Sequence, residues 1–288
     1  MNKLKLIIWI NFCLSTIAIY GQDQYSYSGF EAPVSVTQYG GYYYLSNAGN
    51  NFGKSIKDGD GYISRVKSDG SQEDVTMKYI TGLDNPRGIL AIKGILYVCD
   101  VDRLTGFDLR SKKKVFELLL DKENTKQLTS IVSDNDKIAY VSATDINMIF
   151  EIDLSSKKYK KWIETETPSG LLIDDGKMYV CGWGTDSLPN GKLGVINMKS
   201  KEYTQLVDYE GFLWGLALNG KKLYFSDWMQ FGKRGVIKWI NIDTKDMGQV
   251  NLTSKIGGPA DFIYDARNNL FIIPAVSEGV VYGAIGFK

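Results

Sequence analysis

The chain has 288 residues, with 34 Lys and Arg against 33 Asp and Glu, a formal charge of +1, three cysteines and no histidine. Without an imidazole there is no Ser-His-Asp or Cys-His nucleophile, no His-ligated zinc and no histidine proton shuttle, so any chemistry runs on carboxylates, Lys, Tyr, Ser, Cys or a bound ion. The near-zero charge leaves no basic surplus for following phosphates, which argues against nucleic acid as a partner.

Lys3 and Lys5 precede a mostly apolar stretch from Leu6 to Ile19, and Gly21 supplies a small residue before the polar Gln22-Asp23. This reads as a secretory signal peptide at 1–21, leaving a mature domain at 22–288. Asn11, Ser15 and Thr16 keep the apolar run short of the roughly 18 clean residues of a membrane span, and Cys13 lacks the small residues that precede a lipidated cysteine. The expected product is secreted or periplasmic, monomeric, and without a membrane span once cleaved.

The remaining 267 residues repeat. An aromatic residue, an aliphatic or aromatic one and a small or apolar one recur at Tyr44-Leu45-Ser46, Tyr97-Val98-Cys99, Tyr140-Val141-Ser142, Tyr179-Val180-Cys181, Tyr224-Phe225-Ser226 and Phe271-Ile272-Ile273. The spacings are 53, 43, 39, 45 and 47 residues, the period of a propeller blade. About ten residues before each copy stands another apolar strand, beginning at Pro33, Pro86, Leu128, Pro168, Leu213 and Pro259.

The far end of each unit carries a hairpin turn, written Asp108-Leu109-Arg110-Ser111-Lys112, Asp153-Leu154-Ser155-Ser156-Lys157, Asn197-Met198-Lys199-Ser200-Lys201 and Asn241-Ile242-Asp243-Thr244-Lys245. Asx and Ser/Thr side chains close such turns by bonding nearby backbone groups. A fourth, more polar strand follows each. Six units of four strands predict an all-β fold, a six-bladed β-propeller of antiparallel blades. The last unit ends on its third strand, so the segment from Gln24 to Phe30 is expected to supply the missing one and remove the open edge. Cys99 and Cys181 fall in non-neighbouring units and are expected to be free buried thiols.

Gly258-Pro259-Ala260-Asp261-Phe262-Ile263-Tyr264-Asp265 through Asn268-Asn269-Leu270-Phe271-Ile272-Ile273-Pro274, with the opening Glu31-Ala32-Pro33-Val34, resembles the gluconolactonase and senescence-marker-protein family. The Pro-x-Gly openings are similar to the wider NHL-repeat and strictosidine-synthase-like propellers. The resemblance implies a divalent cation at the channel mouth, held by a Glu and by Asn, Asn and Asp on later inner strands. The cation polarises a lactone carbonyl while an acidic side chain helps activate water. Glu31 matches the first ligand, whereas the other slots hold Leu128, Ser169 and Trp214. The resemblance thus implies the scaffold more than the catalysis.

Asn47, Asp100 and Asp227 follow the second strand of their blades at one place, and Asp261 stands where other blades have Gly or Ser. Either they line one opening with Glu31 and hold calcium, zinc or manganese, with Asp100 and Asp227 as candidate catalytic acids, or each caps its own turn. Trp183, Trp214 and Trp228 either stack on a sugar, lactone or aromatic ligand or pack between blades. Arg87 either holds a carboxylate bidentately or pairs with Asp100 or Asp102. Ser169 is kept as a ligand-facing hydroxyl. Asp58-Gly59-Asp60-Gly61 matches part of a calcium loop but lacks its distant Glu, and the Lys runs at 112–114 and 157–161 suit a solvated outer edge.

Two functions are therefore carried forward. One is a secreted propeller binding a small molecule, glycan or protein at one mouth of its channel; the other is a cation-dependent hydrolase of a lactone or related ester.

Overall fold

Short apolar runs punctuated by Gly, Asn and Asp favour brief strands and tight turns. The computed structural model, which describes residues 24–54, 56–69, 74–229, 234–252 and 255–285, is built almost wholly of such strands. The expected signal segment lies outside the described residues, as does Thr253 of the formal glycosylation sequon Asn251-Leu252-Thr253. Among the described residues no helix is long and apolar enough to cross a membrane.

Six antiparallel sheets form six blades. From the channel outward, blade 1 runs through Pro33–Tyr39, Tyr42–Asn47, Gly61–Lys67 and Val75–Leu83. Blade 2 comprises Pro86–Ile92, Ile95–Asp100, Arg103–Asp108 and Lys114–Leu119. Blade 3 follows with Leu128–Ser133, Ile138–Ala143, Met148–Asp153 and Lys158–Glu164. Blade 4 uses Pro168–Asp174, Lys177–Gly182, Gly191–Asn197 and Tyr203–Gly211, and blade 5 uses Leu213–Asn219, Lys222–Asp227, Arg234–Asn241 and Met247–Gln249. In blade 6 only Ile263–Asp265 is a regular inner strand, because Pro259 makes a single bridge to Ala275; Leu270–Ala275 and Val280–Ile285 complete the blade's own strands.

Ring closure occurs as the sequence predicts. Gln24–Ser28 pairs antiparallel with Val280–Ile285, Gln24 opposite Ala284 and Ser28 opposite Val280. Each inner strand packs against the next around the ring, and blade 6 meets blade 1.

The repeat motifs now have physical reasons. Five inner strands bulge at their opening, and there the next blade comes very close. A Cβ on Gly170 would lie 2.0 Å from the Trp214 carbonyl oxygen, and one on Gly215 would lie 2.5 Å from that of Ala260. The small third residue of the aromatic motif then ties blades together. Ser46 accepts the Ser35 N–H at 3.0 Å and donates to the Arg87 carbonyl of blade 2 at 2.6 Å. Ser142 and Ser226 make the same two-sided link to Ser169 and Ala260. Cys181 takes this place in blade 4, its thiol donating to the Trp214 carbonyl at 3.2 Å. Cys99 and Cys181 are buried and free, as expected, and desolvation raises both thiols, Cys181 to about 12.

The outer turns carry a second tie. Lys112, Lys157 and Lys201 sit in the left-handed region at φ 60°, 55° and 61°. Their ammonium groups lie over Tyr79, Phe116 and Trp162 on the outer strand of the preceding blade, 4.5, 5.2 and 5.8 Å from the ring centroids. These three lysines do more than charge a solvated edge: each covers an aromatic ring across a blade boundary.

Candidate functional site

Five inner strands, and the bridged segment at Pro259 that opens blade 6, begin at one end of the channel. Their second residues, Val34, Arg87, Thr129, Ser169, Trp214 and Ala260, are all buried. Trp214 stacks on Trp228 at 5.7 Å with 17° between planes, and Phe52 stacks on both at 5.7 and 6.4 Å. Trp183 meets Trp214 and Trp228 edge-on at 5.2 and 5.1 Å, with Phe212 beside it. These rings form one apolar cluster with Val34, Ala48, Ala260 and Val276, a plug over this end of the channel. Trp183, Trp214 and Trp228 thus pack mainly on one another and on these two phenylalanines. Trp228 Nε1 donates to the Pro259 carbonyl at 2.8 Å, while the buried Nε1 of Trp214 has no partner among the described residues.

Phe52 reaches the plug from the loop between the second and third strands of blade 1. Blade 2 braces that loop. Asn85 and Arg87 donate to the Phe52 carbonyl at 3.1 and 3.3 Å, the Gly59 N–H donates to Asp84, and Lys57 pairs with Asp102 at 2.7 Å. Within the loop, Asn51 donates to Asp58 at 2.8 Å and the Asn50 N–H to Asp60 at 3.0 Å. The Asn51 bond holds the Asp58 carboxyl below its usual range. The Asp58-Gly59-Asp60-Gly61 fragment therefore braces a loop.

Arg87 is only 4% exposed, and its guanidinium carbon lies 5.1 Å from the Phe52 ring and 5.7 Å from the Trp214 ring. Desolvation pulls it down to about 10, so it remains a cation at neutral pH, with Asp145 acting on it at longer range. Among the described residues no carboxylate comes within ion-pair distance of it. The pairing with Asp100 or Asp102 is not formed: Arg103 reaches Asp100 at 2.6 Å, and Lys57 takes Asp102.

The acids that sequence reasoning grouped are engaged separately. Asp100 accepts the N–H groups of Asp84 and Asn85 at 3.0 and 2.7 Å, clamping the connector into its own blade, and burial raises its pKa. Asp227 accepts the Tyr209 hydroxyl and the Met229 N–H. The Asn47 amide donates to Ser64 at 3.0 Å, leaving its buried oxygen unpartnered among the described residues. The Glu31 side chain is 42% exposed and faces Lys78 at 4.0 Å. Asp261 accepts the Ser35 hydroxyl at 2.7 Å, and burial pushes it up to about 7.

A cation of the kind the resemblance implies does not fit this donor set. Leu128 and Trp214 offer no side-chain oxygen, and the Ser169 hydroxyl lies 2.6 Å from the Leu213 carbonyl and 2.9 Å from that of Cys181 as a blade tie. Among the described residues no three His, Cys, Asp or Glu side chains come together to hold a metal ion. Phe52 and Phe212 were missed by the sequence reading. The longest spacing between repeats, 53 residues, falls across Phe52 and was the available signal of an added loop.

No protein-family profile and no curated protein sequence matches this chain. Solved structures do. Kuenenia stuttgartiensis hydrazine synthase is similar over 85% of this chain and 74% of its own, at 16% identity and a TM-score of 0.60. A nidogen/laminin complex is similar over 88% of this chain and 90% of its own, at 12% identity and a TM-score of 0.56. Both likenesses bear on the fold, and both agree with a β-propeller.

Proposed function

We propose that this chain is an exported, gluconolactonase-like propeller that works as a binding module, taking a small organic anion at the mouth formed by Arg87 and the aromatic plug. The observation that carries this reading is the buried Arg87 guanidinium without a carboxylate partner among the described residues. A buried cation is costly until it is paired, and a guanidinium pairs best with a planar carboxylate through two parallel hydrogen bonds. The half-buried ring of Trp183 supplies flat apolar surface for the ligand's body, while Phe52 covers the guanidinium until the ligand enters. The separate engagement of Asp100 and Asp227 favours binding over hydrolysis.

Isothermal titration of residues 22–288 with glucuronate, benzoate and indole-3-acetate tests this. At least one should bind, and Arg87→Met should weaken it tenfold or more. Binding of none of the three, or equal binding by the variant, overturns the reading.

A further inference from the structure

Beneath the plug the channel holds a cavity of about 240 Å³, some eight times the roughly 30 Å³ that a water occupies in the liquid. Each blade contributes an apolar residue to its wall: Val36, Ile89, Ile131, Leu171, Leu216 and Phe262. Asp261 is the one carboxylate on that wall, and Ser35 donates to its Oδ2 at 2.7 Å. The charge has no counter-ion, since no cation acts on it among the described residues, and its field reaches the buried, protonated thiols of Cys99 and Cys181.

We propose that this lower channel is a second binding site, distinct from the Arg87 mouth, for a small aliphatic amine whose ammonium group meets Asp261 and whose hydrocarbon chain lies along the apolar wall. The pairing follows from two demands that one ligand must satisfy together. A desolvated carboxylate without a counter-ion calls for a charge-assisted donor, and six apolar side chains call for a hydrocarbon body. An alcohol answers the second demand but leaves the charge uncompensated, and a carboxylic acid would bring like charge to Asp261. Access is from the end opposite the plug. There the channel shares Leu172, Ile173 and Phe262 with a recess of about 330 Å³, whose rim carries Asp174 and Tyr264. Asp174 is exposed, and its charge draws cations toward that opening.

The test is titration of residues 22–288 at pH 8 with n-hexylamine, n-hexanol and hexanoate. The amine should bind at least tenfold more tightly than the alcohol, and hexanoate should not displace the amine. Asp261→Asn should bring amine and alcohol to equal affinity, and Leu216→Trp, which keeps Asp261 but fills the cavity, should abolish both. Arg87→Met should leave amine binding unchanged. Equal binding of amine and alcohol by the parent, no amine binding, or amine binding that survives both cavity variants overturns the proposal. Loss of amine binding in a folded Arg87→Met protein overturns the separation of the two sites.

Discussion

Arg87 of blade 2 and Trp214 of blade 5 meet at a distance of 5.7 Å although their blades stand opposite in the ring. Both occupy the second position of an inner strand, so two long side chains from facing walls roof the channel between them, and Phe52 adds a ring to both.

This places Phe52 as a cover over the guanidinium. Phe52→Ala should raise affinity for a carboxylate at least threefold, by removing the ring without touching Arg87. Phe52 is half-buried, so the stability cost should be about 2–3 kcal/mol, below the range for a fully buried Phe. Calorimetry and urea unfolding read the two effects. A fall in carboxylate affinity would instead make Phe52 part of the ligand platform.

Asp261 predicts a pH dependence opposite to that of an ion-paired acid. Its pKa is about 7 when folded against 3.8 for the ordinary group. Between these values the folded chain holds a proton that the unfolded chain has released, so this residue makes stability fall as pH rises from about 4 to about 7, and the loss is complete above that. Asp261→Asn removes the slope. Its gain over the parent should be largest at pH 8 and smallest at pH 4, and unfolding midpoints at both pH values check this.

At Gly170 a methyl group has nowhere to go, because the obstruction 2.0 Å away is the backbone carbonyl of Trp214. Gly170→Ala should destabilise by more than about 4 kcal/mol, since two inner strands must separate. Thermal unfolding decides; a change under about 1 kcal/mol would show that the blades slide freely.

Cys181 replaces the serine of the blade tie, so Cys181→Ser should be tolerated within about 1 kcal/mol, whereas Cys181→Val, which loses the donor, should cost about 1–3 kcal/mol. In the native protein both thiols should resist a disulfide reagent and react only on unfolding, because burial keeps them protonated.

The scaffold was legible because each repeated residue answers a local demand. Asn197 accepts from the Lys199 and Ser200 N–H groups within its own turn, and Ser46 can be only small and polar between two backbones. The mouth was less legible because its contacts are not periodic. Phe52 and Trp214 are far apart in the chain and meet only once the ring has closed. The partner of Asp100 was misjudged for a local reason: hairpin register sets Arg103 directly opposite Asp100, while Arg87 points into the channel mouth.

The pairing of Gln24–Ser28 with Val280–Ile285 joins the earliest described strand to the last one. The two partners lie at opposite ends of the described domain, so the other five blades can pack while the sixth still lacks its outermost strand. The pairing closes a loop spanning nearly the whole domain, and contacts of such long range form slowly. Until it occurs, Val280–Ile285 is an unprotected sheet edge. A neighbouring chain that offers its own Gln24–Ser28 there would complete the blade equally well and exchange strands between two molecules.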